Sequence, residues 1–237
     1  LVSLIDDLDT LVYYQTNRGN VNSQAKVGGG IGDLYGTVWE RDSSGNRLVG
    51  ADGKPTQSNP DNFLGNAQPD WLAGWSNSFY YKNFSLNVLI DGRFGGVVYS
   101  GDSSRLDSYG VSERSLQYRE SGVVLDAVDP NGAANTVNIT GQEYWQRLSD
   151  IAEPYVYAQD NVRLRELAIG YSFPDVSALG MESINLQLIG RNLFFINKKA
   201  EDIDPEAALG TNLGGQGIAL GNLPTLRSIG LNVTLKF

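Results

Sequence analysis

The chain has 237 residues, with Lys+Arg 18 against Asp+Glu 27 for a net charge of -9, and it contains neither histidine nor cysteine. That composition removes the imidazole base, the thiolate nucleophile, the soft zinc ligand and the disulfide in one stroke. An acidic chain without a basic cluster is also a poor partner for nucleic acid, whose affinity comes mainly from neutralised phosphates. No catalytic, cofactor-binding or metal residue is nominated, and an enzyme is not expected.

The longest apolar runs, such as Leu193-Phe194-Phe195-Ile196, fall far short of the ~18 residues a membrane-crossing helix needs. The opening Leu1-Val2-Ser3-Leu4-Ile5-Asp6 has no basic segment leading into an apolar stretch, so no targeting signal is read in it. A removed signal and an internal start both fit.

Period-two alternation, the mark of a half-buried strand, recurs along the chain, whereas a sustained helical period is hard to find. A first strand is possible near residues 1–14, and strands are predicted at 72–81, 84–94, 162–173, 184–194 and 228–237, with long loops at 15–71, 95–161 and 195–227. In chain order, Trp75, Phe79 and Tyr81 alternate with Ser76, Ser78 and Tyr80, and Phe84, Leu86, Val88, Ile90 and Phe94 face away from Ser85, Asn87, Asp91 and Arg93. Leu167, Ile169, Tyr171 and Phe173 follow the same rule, as do Ile184, Leu186 and Leu188. The clearest case closes the chain, where Ile229, Leu231, Val233, Leu235 and Phe237 alternate with Gly230, Asn232, Thr234 and Lys236.

Alternation alone suits a soluble sandwich and a membrane barrel equally, so the connections decide. Lys82-Asn83 suits a tight hairpin and 174–183 is short, whereas 95–161 and 195–227 are very long. Compact domains rarely hold several structureless loops beyond ~12–15 residues. Outer-membrane barrels do so by plan, with short periplasmic turns and long extracellular loops. On that reading the chain is all-β, its antiparallel strands forming part of a large transmembrane barrel. Tyr81, Phe84, Phe94, Phe173 and Phe194 are read as an aromatic girdle at the strand ends. Ile229, Leu231, Val233, Leu235 and Phe237 are read as lipid-facing, and Asn87, Asp91, Arg93, Asn185, Gln187, Arg191 and Asn232 as facing the lumen. Five good strands and a possible sixth cannot close a barrel, which takes at least ~8; the chain is therefore expected to be part of a longer polypeptide or one contributor to a shared barrel, with the remainder of the barrel as partner.

Between the strands, Asp42-Ser43-Ser44-Gly45-Asn46, Asp52-Gly53-Lys54-Pro55 and Asp129-Pro130-Asn131-Gly132 carry turn chemistry. Gly28-Gly29-Gly30-Ile31-Gly32 lacks the Lys-Ser/Thr of a phosphate cradle and reads as a flexible loop. Glu201-Asp202-Ile203-Asp204-Pro205-Glu206 reads as a solvated acidic loop, with an oxygen-ligated calcium ion as the other reading. Trp71, Trp75, Trp145, Tyr109, Tyr118, Tyr144, Tyr155 and Tyr157 either stack on sugar faces or peptide side chains or simply pack the loops. No carboxylate pair can be singled out for glycoside hydrolysis.

Several stretches resemble the C-terminal part of SusC/RagA-type TonB-dependent transporters of Bacteroidetes outer membranes. They are Val27–Gly36, then Leu64–Trp75 continuing through Asn77–Leu86, then Val162-Arg163-Leu164-Arg165-Glu166 with Gly170-Tyr171-Ser172-Phe173-Pro174. Gly190-Arg191-Asn192-Leu193-Phe194, Asp204-Pro205-Glu206 and the terminal Gly230–Phe237 follow in the family's order. Pro224-Thr225-Leu226-Arg227 departs from its usual Tyr-Pro-x-x-Arg. The resemblance implies the last part of a plugged barrel of about twenty-two strands, with the plug and TonB-contacting box outside this chain. It also implies a cell outer-membrane location, a SusD-like surface lipoprotein as partner, the TonB complex as energy source, and a glycan or peptide as substrate, with no cofactor. A soluble β-sandwich carbohydrate-binding module is the alternative.

Overall fold

A computed structural model describes residues 8–17, 21–174, 176 and 180–237. In chain order it contains β1 (Thr10–Gln15), β2 (Asn22–Lys26), β3 (Asp33–Gly36), β4 (Asn62–Asn66), β5 (Trp71–Tyr81), β6 (Phe84–Phe94) and β7 (Val97–Ser100). Helix α1 (Gly101–Ser108), β8 (Val123–Val124), β9 (Asn138–Ile139), helix α2 (Gly141–Leu148) and β10 (Val156–Ala158) follow. The chain closes with β11 (Asn161–Phe173), β12 (Ser183–Lys198), β13 (Ile218–Ala219) and β14 (Ser228–Lys236). These elements divide into two compact units, one made of residues 1–68, 96–158 and 207–223, the other of 69–95, 159–206 and 224–237.

The second unit is one five-stranded sheet in the order β14-β12-β11-β6-β5, antiparallel throughout. Tyr81 pairs with Phe84 across the Lys82-Asn83 turn, where Lys82 takes a left-handed φ of 52°. The register aligns the apolar residues in rows that cross the sheet. Phe79, Leu86, Ile169, Leu188 and Leu231 form one row, and Tyr81, Phe84, Tyr171, Leu186 and Val233 the next. Rows of the other parity carry Tyr80, Ser85, Gly170, Gln187 and Asn232, or Ser78, Asn87, Ala168, Ile189 and Gly230. In β11 the apolar phase changes, from Val162 and Leu164 to Leu167, Ile169 and Tyr171. A bulge between Leu164 and Glu166 absorbs the extra residue and returns all five to one face.

A sandwich would cover that face with a second sheet, and the described residues of this unit hold none. Its apolar face is open: Phe79 is 50% exposed, Ile169 51%, Leu188 52% and Leu231 67%. None of the helices among the described residues is long and apolar enough to cross a membrane.

The first unit is built the opposite way. One core cluster gathers Trp39, Val49, Ile139, Trp145, Leu148 and Ile151, and another gathers Val21, Leu34, Tyr99, Ala152, Tyr155 and Ile218. Around them lie the antiparallel sheet β1-β2-β3-β4, the small sheet β10-β7-β13 and the pair β8-β9.

The segments read as long loops are thus partly ordered. Residues 15–71 contain β2, β3 and β4, residues 95–161 contain β7 to β10 with both helices, and β12 runs on to Lys198. Helix α1 escaped the periodicity rule because it buries no large apolar side chain, and α2 because, though it buries Trp145 and Leu148, it is only eight residues long. Helix α1 buries Gly101, Ser103, Ser104 and Asp107, and it is held by its Ser100 cap and by Ser104 Oγ donating to Ser149 O at 2.8 Å. Helix α2 starts with a capping box between Thr140 and Glu143. The expected strand near 1–14 is found as β1 from Thr10, and residues 1–7 lie outside the described set. The glycine run at 28–32 is a packed turn, not a loose loop: Gly30 N donates to Asp33 Oδ2 at 2.7 Å, and a Cβ on Gly29 would stand 2.8 Å from the same atom.

Candidate functional site

The polar face of the sheet carries a cluster assembled from four separate segments. Arg163 and Arg165 come from β11, Asn192 from β12, Asp204 and Glu206 from the segment after β12, and Thr225 from the approach to β14. The guanidinium of Arg165 sits bidentate on Asp91, with Nε at 2.7 Å and Nη2 at 3.1 Å. On its other side it reaches Glu206, Nη2 at 2.7 Å and Nη1 at 3.1 Å, and Nη1 also donates to Asn192 Oδ1 at 3.0 Å. Arg163 Nη1 donates to Glu206 Oε2 at 2.9 Å and to Thr225 Oγ1 at 2.8 Å, while its guanidinium lies 4.4 Å from the centre of the Phe195 ring.

Backbone geometry explains how one residue can bridge two of these segments. Asn192 adopts φ 51°, a left-handed conformation that asparagine tolerates better than most residues. From there its Oδ1 accepts from Arg165 and its Nδ2 donates to Leu226 O at 3.2 Å. Asp204 accepts from Thr225 N at 2.9 Å and from the Thr225 hydroxyl. Burial opposes the Asp204 charge, but the Thr225 bonds, the Glu206 backbone N–H and the Arg163 charge outweigh it and hold the carboxyl below its ordinary value.

The chemistry available here is that of a tether. Asp91, Arg93, Arg165 and Glu206 line a recess of about 460 Å³ together with Leu72 and Gly74. Two guanidiniums and two carboxylates line it, so it offers an anion no surplus charge. The loop at 201–206 is therefore not simply solvated: Asp204, with a side chain 6% exposed, and Glu206 are committed to Arg163, Arg165 and Thr225. That commitment also removes the carboxylates a calcium ion would need, and no metal-binding group of side chains is found among the described residues.

The register places the other singled-out residues. Ile229, Leu231, Val233 and Leu235 share the apolar face, with Phe237 one residue beyond β14. Tyr81, Phe84 and Phe173 lie at the hairpin end, where Tyr171 packs edge-on against both phenylalanines. Phe94 pairs with Trp71 at the other end, whereas Phe194 stands beside Leu164, in the row of Ile90 and Trp75. Asn87, Asp91, Arg93, Asn185, Gln187, Arg191 and Asn232 share the polar face. Among them Arg191 pairs with Glu166 at 2.8 Å and Asn185 Nδ2 donates to Ser172 Oγ at 2.9 Å.

Of the aromatics read as stacking platforms, Trp145 and Tyr155 are core residues. Tyr155 donates to Asp107 Oδ2 at 2.9 Å, and burial followed by the Asp107 charge pushes its phenol far above the ordinary range. Tyr118, Tyr144 and Trp145 form an edge-to-face stack. Tyr109 is 71% exposed and lines a recess of about 580 Å³ with Arg119, Gln142 and Gln146. Sequence reading missed the convergence of Arg163, Arg165, Asn192 and Thr225; the only signal was that each lies in or beside a family-like motif.

No family model matches the chain. Over 209 residues it is 26% identical to TonB-dependent receptor P3 of Formosa agariphila, covering 84% of this chain and 19% of that protein. Over 185 residues it is 26% identical to TonB-dependent receptor P26 of the same organism, covering 72% of this chain and 17% of that one. The solved RagAB peptide transporter superposes with a TM-score of 0.61 at 17% identity, over 99% of this chain and 25% of that one. These likenesses support reading the chain as a segment of a SusC/RagA-type TonB-dependent receptor.

The RagAB peptide importer in its open-open state also matches, at a TM-score of 0.55 and 17% identity, and these likenesses show that the chain has the fold of part of a barrel transporter. Both sets of likenesses point to the outer membrane, and the chain spans less than a fifth of the length of the curated relatives it matches. Relatives named as receptors point away from an enzymatic role.

Proposed function

We propose that this chain is part of the wall and mouth of an outer-membrane transporter that imports glycans, or peptides, with energy from the TonB complex. The observation that carries the reading is the inverted sheet, with open apolar rows on one face and a polar, ion-paired face behind. Lipid is the solvent that suits such an outer face, and closure with further strands satisfies the open edges of β5 and β14. In this reading Ile229, Leu231, Val233, Leu235 and Phe237 face lipid, and Tyr81, Phe84, Phe94, Phe173 and Phe194 form the aromatic girdles. Because barrel strands tilt by roughly 35–45°, one membrane level cuts diagonally across the register rows, which accommodates Phe194 beside Ile90. Asn87, Asp91, Arg93, Asn185, Gln187, Arg191 and Asn232 face the lumen and the plug. A SusD-like lipoprotein covers the mouth.

The test is deletion of the full receptor gene in its own bacterium, followed by uptake of fluorescent oligosaccharides and, separately, of labelled peptides. Loss of one class, restored by the intact gene, is the expected result. Unchanged uptake of both classes, with the receptor demonstrably expressed in the parent strain, overturns the reading. Affinity purification of the tagged full receptor from outer membranes is expected to bring down a surface lipoprotein.

A further inference from the structure

The pairing of β14 leaves its register open to a slip of two residues. On β12 it matches Leu231 with Leu188, Val233 with Leu186 and Leu235 with Ile184 on one face, and Asn232 with Gln187 and Thr234 with Asn185 on the other. A slip of one residue would turn every side chain to the wrong face, but a slip of two turns none. Moved toward the C-terminal end of β12, Leu231 would stand opposite Gly190 and Thr234 opposite Gln187. Ladder length does not prevent it, because β12 runs on past Arg191 to Lys198. A tight turn normally pins the register of neighbouring antiparallel strands, yet β12 and β14 are joined by the whole segment 199–227.

We propose that the cluster of Arg163, Arg165, Asn192, Asp204 and Glu206 is the lock that selects the register of β14. It grips the chain at two consecutive residues just before the strand begins. Thr225 N donates to Asp204 Oδ2 at 2.9 Å, and Thr225 Oγ1 donates to that carboxylate while accepting from Arg163 at 2.8 Å. Leu226 O accepts from Asn192 Nδ2 at 3.2 Å. A two-residue slip would carry Thr225 about 6.6 Å along the strand direction, beyond the reach of every one of these bonds. The grip is firm because Arg163 and Arg165 stand on β11, at the centre of the sheet, and the two guanidiniums cross-tie Glu206.

The far end of β14 supplies no comparable check. Glu182 N donates to Lys236 O at 2.7 Å, a backbone bond that any residue brought to that place would re-form. The Lys236–Glu182 ion pair at 2.6 Å is solvent-exposed and correspondingly weak. Thr225, Asn192 and Arg163 therefore act as positioning residues for the strand.

The experiment uses the full receptor assembled in outer membranes and pairs of introduced cysteines, in a segment that has none of its own. Gln187→Cys with Asn232→Cys reports the native register, and Gln187→Cys with Thr234→Cys reports the slipped one. Directly opposed positions lie within disulfide range, whereas diagonal ones at ~7–8 Å do not. Thr225→Val keeps the volume and all Arg–carboxylate ties while removing the hydroxyl. It is expected to raise the slipped-to-native cross-link ratio about tenfold in the folded receptor, and Asp204→Asn should do the same. Leu231→Ala weakens β14 without touching the lock, so it should lower both cross-links and leave their ratio alone. An unchanged ratio in Thr225→Val, or an equal rise in Leu231→Ala, overturns the proposal.

Discussion

The two units of this chain bury opposite kinds of side chain. In the first, Val21, Leu34, Trp39, Tyr99, Trp145 and Ile151 are buried, as expected of a fold formed in water. In the second, the fully buried side chains include Gln159, Asn161 and Arg163, while Leu188 and Leu231 are more than half exposed. On the proposed barrel reading, this alternation is unstable in water and stable against hydrocarbon, because lipid accepts the apolar rows and the sheet satisfies its own backbone. The difference teaches that burial ranks mean nothing until the solvent facing each surface is known.

Substitutions in the full receptor can break or sharpen that contrast. The largest effect is expected in the water-facing unit, where Trp145→Ala removes a core indole whose Nε1 donates to Gln117 O at 3.1 Å. It should cost about 3–5 kcal/mol, read as faster proteolytic cleavage within residues 101–158 while the barrel remains heat-modifiable on gels. Next is Leu231→Arg, at the middle of β14, which should cost about 2–4 kcal/mol in a membrane-folding titration. Its neighbour Asn232→Ser should stay within about 0.5 kcal/mol; equal effects at the two positions would sink the assignment of faces.

A smaller effect is expected from Thr140→Ala, which removes the hydroxyl that accepts from Glu143 N at 3.2 Å. Loss of the cap should lower local stability by about 1 kcal/mol, seen as faster amide exchange in α2 and unchanged exchange in β11. The smallest is a pH effect. The folded state holds Asp204 below its ordinary value of 3.8, so its stabilisation is complete above that value and is lost as pH falls through the lowered one. The thermal midpoint of the receptor in detergent should fall across that acid range, and Asp204→Asn should remove part of the dependence.

Much of the wall was legible in the chain itself. Side chains alternate in any extended segment, so Phe84 to Phe94 and Ile229 to Leu235 declare their faces without reference to a partner. Lys82-Asn83 likewise announces the β5–β6 hairpin locally. Helix α1 was not legible, because it packs through Ser103, Ser104 and Asp107 and shows no apolar stripe, and α2, which buries Trp145 and Leu148, is only eight residues long. The candidate site was legible only as scattered motifs. Nothing local joins Arg163 to Thr225, which lie 62 residues apart.

The amino-acid sequence by itself therefore determined which residues share a face, where the tight turn falls and that no imidazole or thiol chemistry exists. Only the tertiary structure decided which rows those residues join, how the bulge in β11 corrects the phase between Leu164 and Leu167, and where β14 stops along β12. The physical reason is one of symmetry. A pattern of period two looks the same after a shift of two, so only contacts from outside the pattern, such as Asp204 on Thr225, can select one register.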